Sequence, residues 1–449
     1  MSLTQELGRL VADVSFERLP SEAVDVARTG FIDCTATMIA GTHDPAPQLL
    51  RKTLAPAGGS EVTLYFSGER APAPEAAWIN GTAGHALDYD DVASLRGHPS
   101  TVLVPAILAE GEALATSGSA MLAAYVAGYE TWAELAWRDP GHHHRKGWHP
   151  TGIFGPIGAA AACASLRRLD AQRTTYALAL AASQSSGVMA NFGTMTKPFH
   201  AGRSAHSGLI AARLAEAGFT ASPDALEHPQ GFLSAVSPAG EVDRETPAHG
   251  LGSEWKIVKY RLGIKKYPAC YCTHRALDAM LELLGRHLLK PEEIERITVS
   301  LSDTHSLILR NHRPQTGLEA KFSMEFAMAA AMIARRAGLA EYTDGFVRRP
   351  DVQDLMRRVF VETNQNYDPE VSGASVWDQV RVELRTGGTI ESEKVSRAKG
   401  HADRPLSESE LFEKFRSCLE AGRAKIAPDV LFDRLKHLEN LSARELTAV

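Results

Sequence analysis

Four stretches of this chain gather the residue types that move protons or hold anions. The first is Gly84-His-Ala-Leu-Asp-Tyr-Asp-Asp-Val92, followed by Gly97-His-Pro-Ser100. Asp88, Asp90 and Asp91 crowd three carboxylates into four positions at the end of an apolar segment. Like charges that close raise at least one pKa or demand a cationic partner; spacing alone also allows a solvated helix end. The second is Gly141-His-His-His-Arg-Lys-Gly-Trp-His149. Its run His142–His144 reads as an exposed, mobile loop, whereas His149 opens an apolar Gly/Ala helix whose N-terminus favours an anion. The third, Gly193 to Ser204, carries Lys197, His200 and Arg203 in a loop feeding a helix that starts near Ala201. Free backbone N–H groups beside those cations would form a carboxylate or phosphate site. The fourth, Ile264-Lys-Lys-Tyr-Pro-Ala-Cys-Tyr-Cys-Thr-His274, carries Lys265 and His274 where the texture of the chain changes. Clefts form at such junctions, while a basic surface linker is the plainer reading.

Together these residues suit proton transfer near neutrality and stabilisation of a developing anion. Imidazoles titrate in the right range, and paired ammonium groups can neutralise carboxylates and an enediolate-like charge. Other chemistries lack their signatures. There is no P-loop, no Rossmann fingerprint, no H-E-x-x-H, EF-hand loop or zinc-type Cys/His spacing, and no G-x-S-x-G elbow. No metal is expected.

The elements that must hold these residues are mostly helices. Apolar positions recur with helical spacing over Ser21–Ala40, Glu75–Leu87, Thr101–Ala115, Ser119–Trp137, Ile153–Leu169, Asp170–Ser186 and Ala201–Ala217. Their Ala and Gly content implies close helix–helix approach. Glycine and proline punctuate the run at Gly41, Pro56–Gly59, Gly97–Pro99, Pro140-Gly141 and Pro198. After Leu262, Ile294–Leu301 alternates like a strand, and Val380–Leu384 with Thr389–Val395 reads as a hairpin. Helices His274–His287 and Glu319–Ala337 lie between, and Ser407–Ala424 and Asp429–Glu439 are helical again. The expectation is a mainly α protein: a large helical domain from residues 1–262 and 398–449, with a smaller α+β unit, 263–397, inserted between its parts.

The charge balance is 48 Lys+Arg against 54 Asp+Glu, a formal net −6. That argues against a nucleic-acid groove, which needs clustered cations to replace counterions. No stretch reaches the roughly 20 apolar residues of a membrane span, and the first residues lack the basic-then-apolar order of a signal peptide. The 5 cysteines are odd in number and mostly isolated, which suits a reducing cytoplasm. Cys270 and Cys272 form only C-x-C, and read as buried small hydrophobes, Cys270 at the wall of a pocket.

The motifs resemble those of the MmgE/PrpD family, which includes 2-methylcitrate dehydratase, cis-aconitate decarboxylase and iminodisuccinate epimerase. The matching pieces are Gly84 to Asp91, Gly97-His-Pro-Ser100, Gly147-Trp-His-Pro-Thr-Gly152, Thr196-Lys-Pro-Phe-His-Ala-Gly202, Lys265-Lys-Tyr-Pro-Ala269, Glu319-Ala-Lys-Phe-Ser323 and Lys399-Gly-His401. The resemblance spans essentially the whole chain. It implies a helical domain built from both chain ends, a smaller α+β lid, and a homodimer. It also implies a cleft collecting Asp88, His98, His149, Lys197, Lys265 and His274, with His200 and Arg203 as further substrate contacts. The implied chemistry begins at a carbon next to a carboxylate of a small di- or tricarboxylic acid, without an iron–sulfur cluster or organic cofactor. A hydro-lyase like 2-methylcitrate dehydratase is the leading expectation, and an epimerase the alternative. The decarboxylase branch is taken to carry Thr where Val92 stands and His where Cys270 stands, which sets this chain apart from it.

Overall fold

In the computed structural model the described residues are 1–54, 61–93, 97–248, 250–371 and 373–448, so the expected break at 56–59 lies outside them. Nine helices carry the first half: α1 (Leu3–Asp13), α2 (Ser21–Ala40), α3 (Pro45–Leu54), α4 (Ala73–Ala86), α5 (Ser100–Leu114), α6 (Gly118–Trp137), α7 (Pro150–Leu166), α8 (Ala171–Ala182) and α9 (Thr196–Glu216). A helix that is apolar all round must be buried on every side. α7 meets that condition: every residue but Ser165 is buried. Small residues let its neighbours come close. A side chain at Gly202 of α9 would overlap the Trp78 backbone oxygen of α4, so this glycine sets the distance between the two helices that later supply His85 and Lys197.

One helix begins elsewhere than expected. α9 starts at Thr196, five residues ahead of Ala201, so Lys197, His200 and Arg203 are helical rather than in a loop. Pro198 is the reason: proline is tolerated in a first turn, where its missing N–H has no partner to lose.

The buried hydrophobics form two clusters. One draws on residues 3–264 and again on 415–446. The other comprises Phe192 and residues 267–395. The second contains α10 (His274–Arg286), α11 (Met324–Ala334) and α12 (Pro350–Met356) around the strands β3 (Ile294–Ser302), β4 (Val359–Asn364), β5 (Gln379–Leu384) and β6 (Thr389–Glu391), numbered after an earlier hairpin of β1 (Val62–Leu64) and β2 (Glu69–Ala71). The sheet runs β4-β3-β5-β6; β3 pairs parallel with β4 and antiparallel with β5. Val299 lies opposite Val361 on one side and Val380 on the other. The helix expected over Glu319–Ala337 divides, because Ser323 caps a new start by accepting from the Phe326 N–H. Among the described residues no helix is long and apolar enough to cross a membrane.

Two helices near the C-terminus, α13 (Glu408–Ala421) and α14 (Pro428–Lys436), return to the first cluster through Phe415, Leu419, Leu431 and Leu435. They bring one buried charge. Lys414 Nζ lies 2.6 Å from Asp33 Oδ1 of α2 and donates to the Tyr89 backbone oxygen at 2.7 Å. The C-terminal return thus grips the turn that carries Asp88 and Asp90. Removing one partner of a buried ion pair strands the other. Lys414→Met is expected to cost about 3 kcal/mol of unfolding free energy, read by urea denaturation, and an unchanged midpoint would show the pair to be dispensable.

Candidate active site

α4 ends at Ala86, and the next residues turn sharply. Asp88 takes a left-handed φ of 51°, a conformation that aspartate tolerates better than most residues, and its N–H donates to the His85 carbonyl at 3.1 Å. This turn separates the three carboxylates and sends each to different partners. Asp88 Oδ1 accepts from Lys197 Nζ at 2.7 Å and from Lys265 Nζ at 2.7 Å, and Lys265 also donates to the Asp88 backbone oxygen at 2.9 Å. Burial alone would raise the Asp88 pKa, but the two ammonium groups hold it well below the ordinary carboxylate value. Asp90 receives His85 Nδ1 at 2.9 Å and stands 3.2 Å from His98 Nδ1. Burial opposes its ionisation too, and the two imidazoles hold its pKa low. Asp91 has only hydrogen bonds from the Ser100 hydroxyl and backbone N–H, so burial pushes its pKa well up. Both outcomes foreseen for a crowded acidic triple are therefore present, on different members.

The cations follow the same logic. Lys265 is fully buried, which would lower its pKa, but Asp88 and Asp90 raise it. Lys197 points from the first turn of α9 and sits over the Phe192 ring at 5.4 Å and the Phe322 ring at 5.1 Å. Lys321 is also buried, donates to the Ala86 carbonyl at 2.8 Å and makes no salt bridge with a carboxylate among the described residues; burial brings its pKa down to about 8, against the weaker pull of Asp44 and Asp88.

Two histidines face these lysines. The His98 N–H donates to Thr151 Oγ1 at 3.2 Å, and Nδ1 to the Asp91 carbonyl at 2.8 Å. Gly97 makes that approach possible: its φ is +108°, and a side chain there would press on Thr151 and Trp132. His149 is the N-cap of α7, buried, with Nδ1 3.1 Å from His200 Nδ1. Its Nε2 has no partner among the described residues. Burial lowers the pKa of both His98 and His149; at His98 the Asp90 carboxylate opposes the fall, whereas at His149 Lys197 only adds to it. Both are neutral imidazoles near pH 7.

A cleft opens onto Asp88, His98, His149, Lys197 and Lys265, five of the residues singled out by sequence. Three others do not line it. His200 stands behind His149. Arg203, three residues further along α9, lies over the Trp78 ring at 5.0 Å and beside His206. His274 is buried between Tyr267 and Tyr271, with Nε2 3.3 Å from the Ala269 carbonyl. The substrate-contact role expected of Arg203 and His274 does not fit these positions. The run His142–His144 also departs from expectation. It enters a 3-10 turn fastened by Arg145 to Thr304 and by Lys146 to the Ser237 carbonyl; His143 is buried, and His142 and His144 line the cleft.

Several contributors were not singled out. His85 lies inside the first motif, and Lys321 and Phe322 inside Glu319-Ala-Lys-Phe-Ser, so a signal existed for each. Asp90 stands out in the sequence as one of three crowded acids but not as a member of the site, and Phe192 carried no signal. Cys270 does line the cleft, and a hydrogen bond from Cys272 holds its thiol pKa below the usual value. Ring nitrogens of His85, His98 and His149 come within 4.8 Å of one another, the spacing at which a cation could be held; so do donors from His85, Asp88, Asp90 and His98. In the second group Asp88 is already bonded by two lysines and Asp90 by His85, with His98 beside it, so both carboxylates have partners within the protein.

Residues 5–245 match the MmgE/PrpD N-terminal domain, and residues 267–427 match the MmgE/PrpD C-terminal domain. The chain belongs to the MmgE/PrpD family. Within the family it is similar to the cis-aconitate decarboxylases of Homo sapiens, at 28% identity covering 83% of this chain and 78% of that one, and of Mus musculus, at 27% covering 83% and 77%. The cis-aconitate decarboxylase of Aspergillus terreus is 26% identical, covering 98% of this chain and 95% of its own.

Asp88 contributes to stability as an anion, so the sign is fixed. Its contribution is complete above its unfolded pKa, near 4, and is lost as the pH falls below that toward its depressed folded pKa. Asp88→Asn is expected to lose about 3 kcal/mol near pH 7, with the gap to the parent narrowing at pH 3. Chemical denaturation at the two pH values reads this; a pH-independent gap would mean that the carboxylate charge is not what the lysines need.

Proposed function

We propose that this MmgE/PrpD protein is a lyase acting on a small di- or tricarboxylic acid by removing a proton next to a carboxylate. The observation that carries the reading is the shared Asp88 oxygen: two buried ammonium groups converge on one carboxylate at the cleft wall, beside two imidazoles whose pKa burial lowers. A substrate carboxylate entering the cleft meets those ammonium groups, and the same lysines stabilise the charge that develops when the α-proton leaves. Asp88, held ionised by both lysines, is a weak base and serves to place them. His98 or His149 takes the proton. The anionic substrate raises the proton affinity of the other, which then delivers a proton to the leaving group.

A hydro-lyase of the 2-methylcitrate dehydratase kind is the reading we favour. Val92 and Cys270 wall the cleft where the decarboxylase branch is taken to place Thr and His. Decarboxylation is the second reading, favoured by the names of the similar proteins, cis-aconitate decarboxylases from mouse, human and Aspergillus terreus. A homodimer in the cytoplasm, with the second cluster acting as a lid, belongs to the same proposal.

The test is proton NMR in D2O of the EDTA-treated protein with citrate, 2-methylcitrate, cis-aconitate and iminodisuccinate. A vinyl signal arising from a hydroxy acid supports the hydro-lyase, loss of CO2 from cis-aconitate the decarboxylase, and α-deuteration with no net product an epimerase. With the active acid identified, His98→Ala and His149→Ala are each expected to lower kcat by about 100-fold or more. Full turnover in either variant removes that histidine from the mechanism.

A further inference from the structure

His85 has no role in the scheme above, yet it is tied to it. It lies in the last turn of α4, fully buried, and does not reach the cleft. Its Nδ1 is 2.9 Å from both oxygens of Asp90. An ionised carboxylate only accepts, so Nδ1 carries the proton; Nε2 has no partner among the described residues. The other Asp90 contact is His98 Nδ1, at 3.2 Å from Oδ2, and that nitrogen also donates to the Asp91 carbonyl at 2.8 Å. A backbone carbonyl likewise only accepts. The His98 proton is therefore on Nδ1, and Nε2 is left as the basic nitrogen. The two rings lie 4.5 Å apart, with one buried carboxylate serving both.

We propose that His85 is a positioning residue that sets the tautomer and proton affinity of His98 through Asp90. The chemical tie to turnover rests on the lyase reading; the electrostatic tie does not. Asp90 divides its charge between two N–H donors. Remove the His85 donor, and the whole of that charge bears on His98, favouring its protonated form. Remove the charge, and His98 becomes a weaker base. Among the described residues, the other groups facing His98 are Asp88 and the Asp91 carbonyl from the turn after α4, His149 from the start of α7, His144 from the 3-10 turn, Lys197 from α9 and Lys265 from the segment after Leu262. All are expected to stay in place when His85 is changed.

The experiment is 15N-histidine NMR of the full chain without substrate, following the His98 ring nitrogens through a pH titration. In His85→Phe the His98 titration is expected to move up by about one pH unit, and in Asp90→Asn down by about one unit or more. His85→Asn, which keeps a side-chain N–H at the same place, is expected to stay near the parent. If His85→Phe does not fold, His85→Leu gives the same comparison. The proposal is overturned if His98 is unmoved in the apolar variant, or moves the same way there as in Asp90→Asn, as general loosening would make it do. Once an active acid is known, the pH limb of kcat/KM assigned to His98 should follow the same order. Opposite NMR shifts with no turnover of any acid tested would leave this inference standing and remove the lyase reading.

Discussion

Everything in the cleft depends on one oxygen atom. Asp88 Oδ1 receives ammonium groups from α9 and from the segment after Leu262, so it joins three parts of the chain far apart in sequence. A buried ammonium by itself sheds its proton rather than pay several kcal/mol of desolvation. Lys321 shows that tendency: with no salt bridge to a carboxylate among the described residues, its pKa comes down to about 8. Lys265, just as buried, goes the other way because Asp88 and Asp90 face it. Two ammonium groups meeting one carboxylate at the cleft wall give an entering acid two cations to bind.

The same turn shows how position, rather than residue type, assigns chemistry. Asp88, Asp90 and Asp91 are neighbours in sequence and equally buried. Lysines make the first a fixed anion, imidazoles make the second the partner of two bases, and a lone serine leaves the third with a raised pKa. The left-handed residue at Asp88 is what separates them, and Lys414 from the far end of the chain holds the intervening Tyr89. The C-terminal helices are thus part of the site without touching the cleft.

How much of this could be read in advance follows from what spacing encodes. The helices α2, α4, α5, α6 and α7 were legible because runs of Ala, Gly and aliphatic residues at helical spacing leave little alternative. Asp88, His98, His149, Lys197 and Lys265 were legible because they stand in short motifs of reactive residues. What spacing could not supply was direction. Lys197, His200 and Arg203 are three apart, and once α9 starts at Thr196 they climb around the helix: the first reaches the cleft, the second backs His149, the third lies against Trp78. The run of three histidines looked like surface because its anchors, Thr304 and the Ser237 carbonyl, are remote in sequence. Phe192 gave no sign, since an aromatic residue in a cation's path has the same pattern as one in a core.

The charge frame also explains why family membership and reaction are separate questions. Under the proposed chemistry, two lysines and two histidines serve any reaction that builds negative charge on a carbon beside a carboxylate. What differs is how that charge arises: a hydro-lyase takes a proton from the carbon and expels hydroxide, whereas a decarboxylase releases CO2, keeps the electron pair on carbon and must then protonate it. A hydroxide must be protonated as it goes, so it must lie toward His98 or His149. A carboxylate leaves as CO2 most readily when it is stripped of water and cation, so it must lie toward apolar wall such as Phe192, Ile308 and Phe322, which the cleft also provides. Which bond breaks is then decided by which carboxylate the lysines hold, and hence by the side chains that orient the rest of the acid. Val92 and Cys270 stand at those walls, not in the charge frame, so a change at either can redirect the reaction while leaving the proton-abstracting machinery intact.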